Sequence, residues 1–145
     1  MKRLLSCAFA LLFVAAVLMP VIAVNAVTSS FNYSFTMEHR YVNGWDNGQV
    51  YSLPAGTATI SGSVYAYPID AASTENPYPV SYTLCSKVFL GIFTKEWGTV
   101  KGPAEGTVSG SFGKIDAGDK YYLTVWTVEE DHWYHSGHGK VTVKY

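Results

Sequence analysis

Phe31-Asn32-Tyr33-Ser34-Phe35-Thr36-Met37 alternates apolar and polar side chains without a fault. Phe31, Tyr33, Phe35 and Met37 fall on one face, and Asn32, Ser34, Thr36 and then Glu38 on the other. A period of two over this length predicts a strand with one face in a core and one in water. The strand is expected to run to about Val42. Asn43-Gly44 and Asn47-Gly48 follow, and each dipeptide readily takes the positive φ angles of a tight turn. Trp45 stands between them at a loop tip, and Gln49–Leu53 is expected to close a hairpin before Pro54.

The same period recurs down the chain. Over Thr57–Tyr67, Ala58, Ile60, Val64 and Ala66 point inward, while Thr59, Ser61, Ser63, Tyr65 and Tyr67 point outward. Gly62 falls on the inward face, where a missing side chain predicts a bulge or a closely approaching strand. Residues 68–79 read as a loop, with Pro68, Pro77 and Pro79. Val80–Leu90, Phe93–Trp97 and Thr107–Phe112 are further strands, with turns at 101–106 and 113–119. Tyr121–Val128 and Lys140–Tyr145 form a closing hairpin around a polar tip. No stretch after residue 26 keeps apolar residues at helical spacing, so little or no helix is expected.

About seven to nine short strands separated by loops predict an all-β fold, a single antiparallel β-sandwich of immunoglobulin-like or jelly-roll-like topology. Ile115-Asp-Ala-Gly-Asp-Lys-Tyr-Tyr-Leu123 resembles the turn before the tyrosine-corner strand of immunoglobulin-like sandwiches. The spacing from Asp116 to Tyr121 is one residue longer than the antibody pattern, and no cysteine follows. An internal echo, Thr-[Ile/Val]-Ser-Gly-Ser, occurs at 59–63 and again at 107–111. Either the chain has two related halves, or small strand-forming residues have simply recurred.

The first 26 residues differ from the rest. Lys2 and Arg3 precede an apolar run, Leu4 to Val24, which ends in Val24-Asn25-Ala26. That order predicts a secretory signal peptide cleaved after Ala26, leaving a β-sandwich domain at 27–145 and a secreted, extracellular protein without a transmembrane segment. An uncleaved anchor is the competing reading of a run this long. Loss of Lys2 and Arg3 leaves eight basic against eleven acidic side chains, a net charge of −3. A mildly acidic chain without a basic run argues against nucleic acid or an anionic membrane as a partner. Cys7 leaves with the signal, so Cys85 has no partner within the chain. It is expected to be buried as a small apolar group or to form a disulfide between chains. The fold is then held by packing, for which 11 Tyr, 7 Phe and 4 Trp supply the bulk.

Two sets of residues suggest function. Trp45, Trp97, Trp133 and Tyr134 are placed at loops or turns, where exposed rings stack on sugars or anchor a protein. They are the expected ligand-binding residues, with a glycan, the cell envelope or a protein as the partner. His132, His135 and His138, after Glu129-Glu130-Asp131, are a candidate set for Zn²⁺ or Cu²⁺ if the hairpin tip brings them together. Asp116 and Asp119 lack the spacing of a Ca²⁺ loop. No nucleophile elbow, phosphate-binding glycine loop or His-Glu-x-x-His motif is present, so an enzyme is not expected. A metal-binding protein and a small toxin- or bacteriocin-like effector are the alternatives to a binding module.

Overall fold

The computed structural model describes residues 26–70, 73, 76–130 and 132–145. Except for Ala26, the expected signal peptide lies outside the described residues. Nine strands and no helix are found among them: β1 (Thr28–Met37), β2 (Tyr41–Asn43), β3 (Tyr51–Leu53), β4 (Gly56–Pro68), β5 (Ser81–Val88), β6 (Phe93–Lys101), β7 (Gly106–Ile115), β8 (Gly118–Trp126) and β9 (Trp133–Lys144). They form two antiparallel sheets packed face to face, one ordered β1-β9-β4-β7 and the other β2-β8-β5-β6. β3 pairs with β8 further along the same edge as β2. The chain is an all-β sandwich, as its alternation predicts.

The pairings are nested. β1 joins β9, β2 and β3 join β8, β4 joins β7, and β5 joins β6. The first half of the chain thus runs antiparallel to the second half, and all four pairings fold about the β5–β6 turn. With β2 and β3 counted as one interrupted strand, this is an eight-stranded jelly-roll order, one long hairpin rolled into two sheets. All nine strands lie after residue 27. The expected hairpin between residues 42 and 49 does not form. Instead Gly44 N–H donates to the Leu123 carbonyl and Gln49 N–H to that of Gly44, so the turn folds against β8. β2 has also left the sheet of β1, because the chain crosses between sheets at residues 38–40.

The core lies between the sheets. Met37, Val64, Val80, Tyr82, Leu84, Val108, Val141 and Val143 are wholly buried in it. Tyr82 takes the edges of Tyr33 and Phe35 at ring separations of 6.1 and 5.9 Å. Phe31 stacks on Tyr51 at 3.7 Å, joining the two sheets near one edge. Gly62 does mark a close approach. It pairs with Gly139 of β9, and a Cβ on either glycine would come within 2.5–2.7 Å of the Tyr33 hydroxyl. The ring of Tyr33 occupies the space that two side chains would need.

The echo acquires a geometric meaning. Ser61 pairs with Ser109, Ile60 with Gly110 and Gly62 with Val108, so the two copies face one another about a local two-fold axis. Each branched side chain stands opposite a glycine. The expected tyrosine corner is present too: Tyr121 donates its hydroxyl to the Asp116 carbonyl at 2.7 Å. It sits at the short link from β7 to β8.

Candidate functional site

The outer face of the β2-β8-β5-β6 sheet carries a groove of about 360 Å³. Alternation along β8 and β5 decides what lines it. Val125, Leu123 and Tyr121 face the core, so Trp126, Thr124 and Tyr122 face outward. Tyr82 and Leu84 face the core, so Thr83, Cys85 and Lys87 face outward, as the sequence implies. Thr99 and Glu96 of β6 and Tyr41 and Asn43 of β2 complete the lining, with Arg40 and Thr127 at one end.

The floor is polar but largely shielded from water. Thr83, Cys85, Tyr122 and Thr124 are all buried. The Thr83 and Thr99 hydroxyls are 2.9 Å apart, and Trp126 Nε1–H donates to Thr83 Oγ1 at 3.1 Å. That bond fixes the indole as a wall at one end of the groove, beside Tyr41, its Cα partner on β2. At the other end the Tyr122 hydroxyl lies 3.2 Å from Thr94 Oγ1, which also accepts from Lys87 Nζ at 3.0 Å. Trp45 packs against Tyr122 at 5.9 Å, with Lys87 Nζ 5.5 Å from its ring centroid. The groove therefore has hydroxyls below, rings at both ends, and the charged groups of Arg40, Lys87 and Glu96 around it.

Cys85 sits in this floor. Its thiol is 3.7 Å from Thr124 Oγ1 and 3.9 Å from the Thr83 carbonyl. Burial pushes the thiol pKa up, outweighing the hydrogen bond from Thr124 that lowers it. A protonated sulfur with 3 % exposure is a poor nucleophile, and its burial opposes the expected disulfide between chains. The reading of Cys85 as a small buried group fits its surroundings.

None of the four expected ligand-binding aromatics lines this groove. Trp45, in the turn after β2, reaches it only through Tyr122 and Lys87, on which it packs. Trp97 is not in a loop but in β6, at the irregularity where the register shifts opposite Leu84 and Cys85. It turns to the core side, packs on Tyr121 at 5.8 Å and donates Nε1–H to Ser86 Oγ at 2.9 Å. Lys95 Nζ lies 3.5 Å from its ring centroid. Trp133 and Tyr134 belong to β9 rather than to a loop, paired with Pro68 and Tyr67 on the other sheet. The sequence reading missed Tyr41, Tyr122 and Trp126. The outward parity of Tyr122, Thr124 and Trp126 within one alternating run was the available signal.

The three histidines are not brought together. The expected closing hairpin does not form, because β8 and β9 lie in different sheets, and β9 begins at Trp133, so two of the histidines lie within a strand. His135 is buried on the core side, whereas His138, an odd number of residues later, faces outward and stacks on Tyr65 at 6.1 Å. His132 occupies the exposed turn before the strand, at φ 57°. No cluster of three or more potential metal ligands occurs among the described residues. Glu129 and Glu130 are exposed, with Glu130 paired to His39 at 3.2 Å, and Asp131 lies outside the described residues. No family model matches the chain, and no curated protein matches it.

Proposed function

We propose that this protein is an exported binding module that takes a glycan into the groove on the outer face of the β2-β8-β5-β6 sheet. The observation that carries this reading is the pairing of ring walls with a hydroxyl floor. A sugar ring has apolar C–H faces and a polar rim. Trp126 and Tyr41 supply flat apolar surface for the faces. Thr99, Glu96, Arg40 and Lys87 supply donors and acceptors for the rim. The Trp126–Thr83 hydrogen bond holds the indole before a ligand arrives, which lowers the ordering cost of binding.

Co-sedimentation with insoluble polysaccharides and calorimetry with soluble oligosaccharides test the proposal. Trp126→Ala and Tyr41→Ala should each weaken binding by about tenfold or more, the usual cost of losing an anchoring ring. Trp133→Ala, on the other sheet, should leave it unchanged. Failure to bind any glycan, or binding indifferent to Trp126→Ala, would refute the proposal.

A further inference from the structure

Val88-Phe89-Leu90-Gly91-Ile92-Phe93 forms the β5–β6 turn, the tip about which the whole chain is rolled. It holds the three most exposed large apolar residues described, Leu90 at 90 %, Phe89 at 71 % and Ile92 at 65 %, with Phe93 at 60 % beside them. Hairpin tips ordinarily carry glycine and short polar residues, since water meets them from every side. The backbone sharpens the anomaly. Phe89 and Leu90 have φ of 51° and 59°, Gly91 has 86°, and Ile92 N–H donates to the Phe89 carbonyl at 3.2 Å. A left-handed conformation suits Asn or Gly and disfavours bulky side chains. Two large apolar residues therefore stand in strained positions, facing solvent, with no burial to stabilise them there.

The surroundings of the tip indicate what it meets. A Cβ on Gly91 would lie 4.0 Å from Lys120 Nζ. Lys87 directly precedes the tip and Lys95 follows it, giving three ammonium groups around its base. The acids near this end include Asp116, paired with Lys95 at 3.4 Å, Asp119, and Asp46 in the turn beside Tyr122 and Lys87.

We infer that the 88–93 tip docks the domain on a lipid bilayer carrying anionic headgroups. Phe89, Leu90 and Ile92 enter the boundary beneath the headgroups, and Lys87, Lys95 and Lys120 lie level with the phosphates. A convex ridge of rings and branched chains suits a soft, deformable surface, and water-exposed apolar area is removed on insertion. This site shares Lys87 with the rim of the groove but does not depend on the glycan reading.

Vesicle co-sedimentation of the chain from Val27 onward, which contains all nine described strands, tests the inference. Vesicles of phosphatidylcholine are compared with vesicles that also contain phosphatidylglycerol. The protein should sediment with the mixed vesicles. A Phe89→Ser, Leu90→Asp double variant, shown by circular dichroism to keep its fold, should bind about tenfold more weakly or worse. Lys120→Gln should weaken binding to mixed vesicles about fivefold and leave binding to neutral ones unchanged. Trp126→Ala should sediment like the parent chain, which separates this site from the groove. No sedimentation of the parent chain, or equal sedimentation of the double variant, would overturn the inference. So would a lipid-free dimer, seen by analytical ultracentrifugation, that the double variant abolishes.

Discussion

Tyr121 reaches back five residues and donates its hydroxyl to the carbonyl of Asp116 at 2.7 Å. The bond ties the first turn of β8 to the end of β7, where the chain changes sheets in two residues. Its ring is buried between Trp97 and the core, so the corner is held by packing as well as by the hydrogen bond. Tyr121→Phe keeps the ring and removes only the bond. It should lower stability by about 1 kcal/mol, measured by urea denaturation.

Tyr33 and Tyr82 should respond in the opposite direction. Their hydroxyls are buried without a hydrogen-bond partner among the described residues. Each is taken out of water with nothing gained in return. Tyr33→Phe and Tyr82→Phe should therefore be neutral or raise stability by up to about 1 kcal/mol. A loss comparable to that of Tyr121→Phe would show that these hydroxyls are bonded.

These three phenols also set the alkaline limit of the fold. Burial pushes Tyr33 and Tyr121 up to about 12 and raises Tyr82 further, with Asp116 adding to the effect on Tyr121 and Tyr33 to that on Tyr82. Between the ordinary tyrosine value of 10.0 and these raised values, the folded state holds protons that the unfolded chain has released. Stability should be unaffected by these groups below pH 10 and fall steadily above it. Thermal melts across alkaline pH measure this. A Tyr33→Phe, Tyr82→Phe variant should show a shallower decline.

Cys85 should resist alkylation by iodoacetamide in the folded protein and react only on unfolding. Its sulfur is buried in the groove floor and its pKa is raised, so little thiolate is present at neutral pH. Occupation of the groove should slow the residual reaction further, as mass spectrometry can follow. Rapid native labelling would mean that the floor opens.

Glycines at the centre of the roll should tolerate nothing larger. Gly139→Ala would drive its Cβ against the Ser61 carbonyl and the Tyr33 hydroxyl. A loss of about 3 kcal/mol or failure to fold is expected, because the clash is with backbone as well as with a side chain. Solubility and a urea midpoint measure it. Gly48, whose Cβ would meet nothing, should accept Asn with little change, since Asn tolerates its φ of 71°.

Alternation made the strands legible. Thr57–Tyr67 carries a period-two pattern over eleven positions and matches β4 to within one residue at each end. The outward set Thr83, Cys85 and Lys87 follows from the same rule. What failed was local identity without pattern. Trp97 ends the expected Phe93–Trp97 strand and, next to a glycine, reads as the start of a turn, yet the register shift opposite Leu84 and Cys85 lets β6 continue through it to Lys101. Trp133, among acids, glycines and histidines, reads as a loop tip, but pairing with Pro68 draws it into β9. The groove was hidden for another reason. Its lining comes from four strands whose neighbours are distant in sequence, and no local stretch contains more than a few of its residues. The exposed tip was read as the end of a strand because its residues are apolar, and exposure is a property of the rolled chain alone.

The outermost rung of the roll joins the two ends of the domain. Val27 and Tyr145 exchange both backbone hydrogen bonds, at 3.1 and 3.0 Å. The domain is therefore nearly a ring in its connectivity, with one covalent gap. A short linker across that gap would close the backbone without disturbing a strand, and new termini could then be opened at another exposed connection. Such a permuted chain would keep every pairing while exchanging which of them are local, so the order of folding events could be rewritten without altering the folded product.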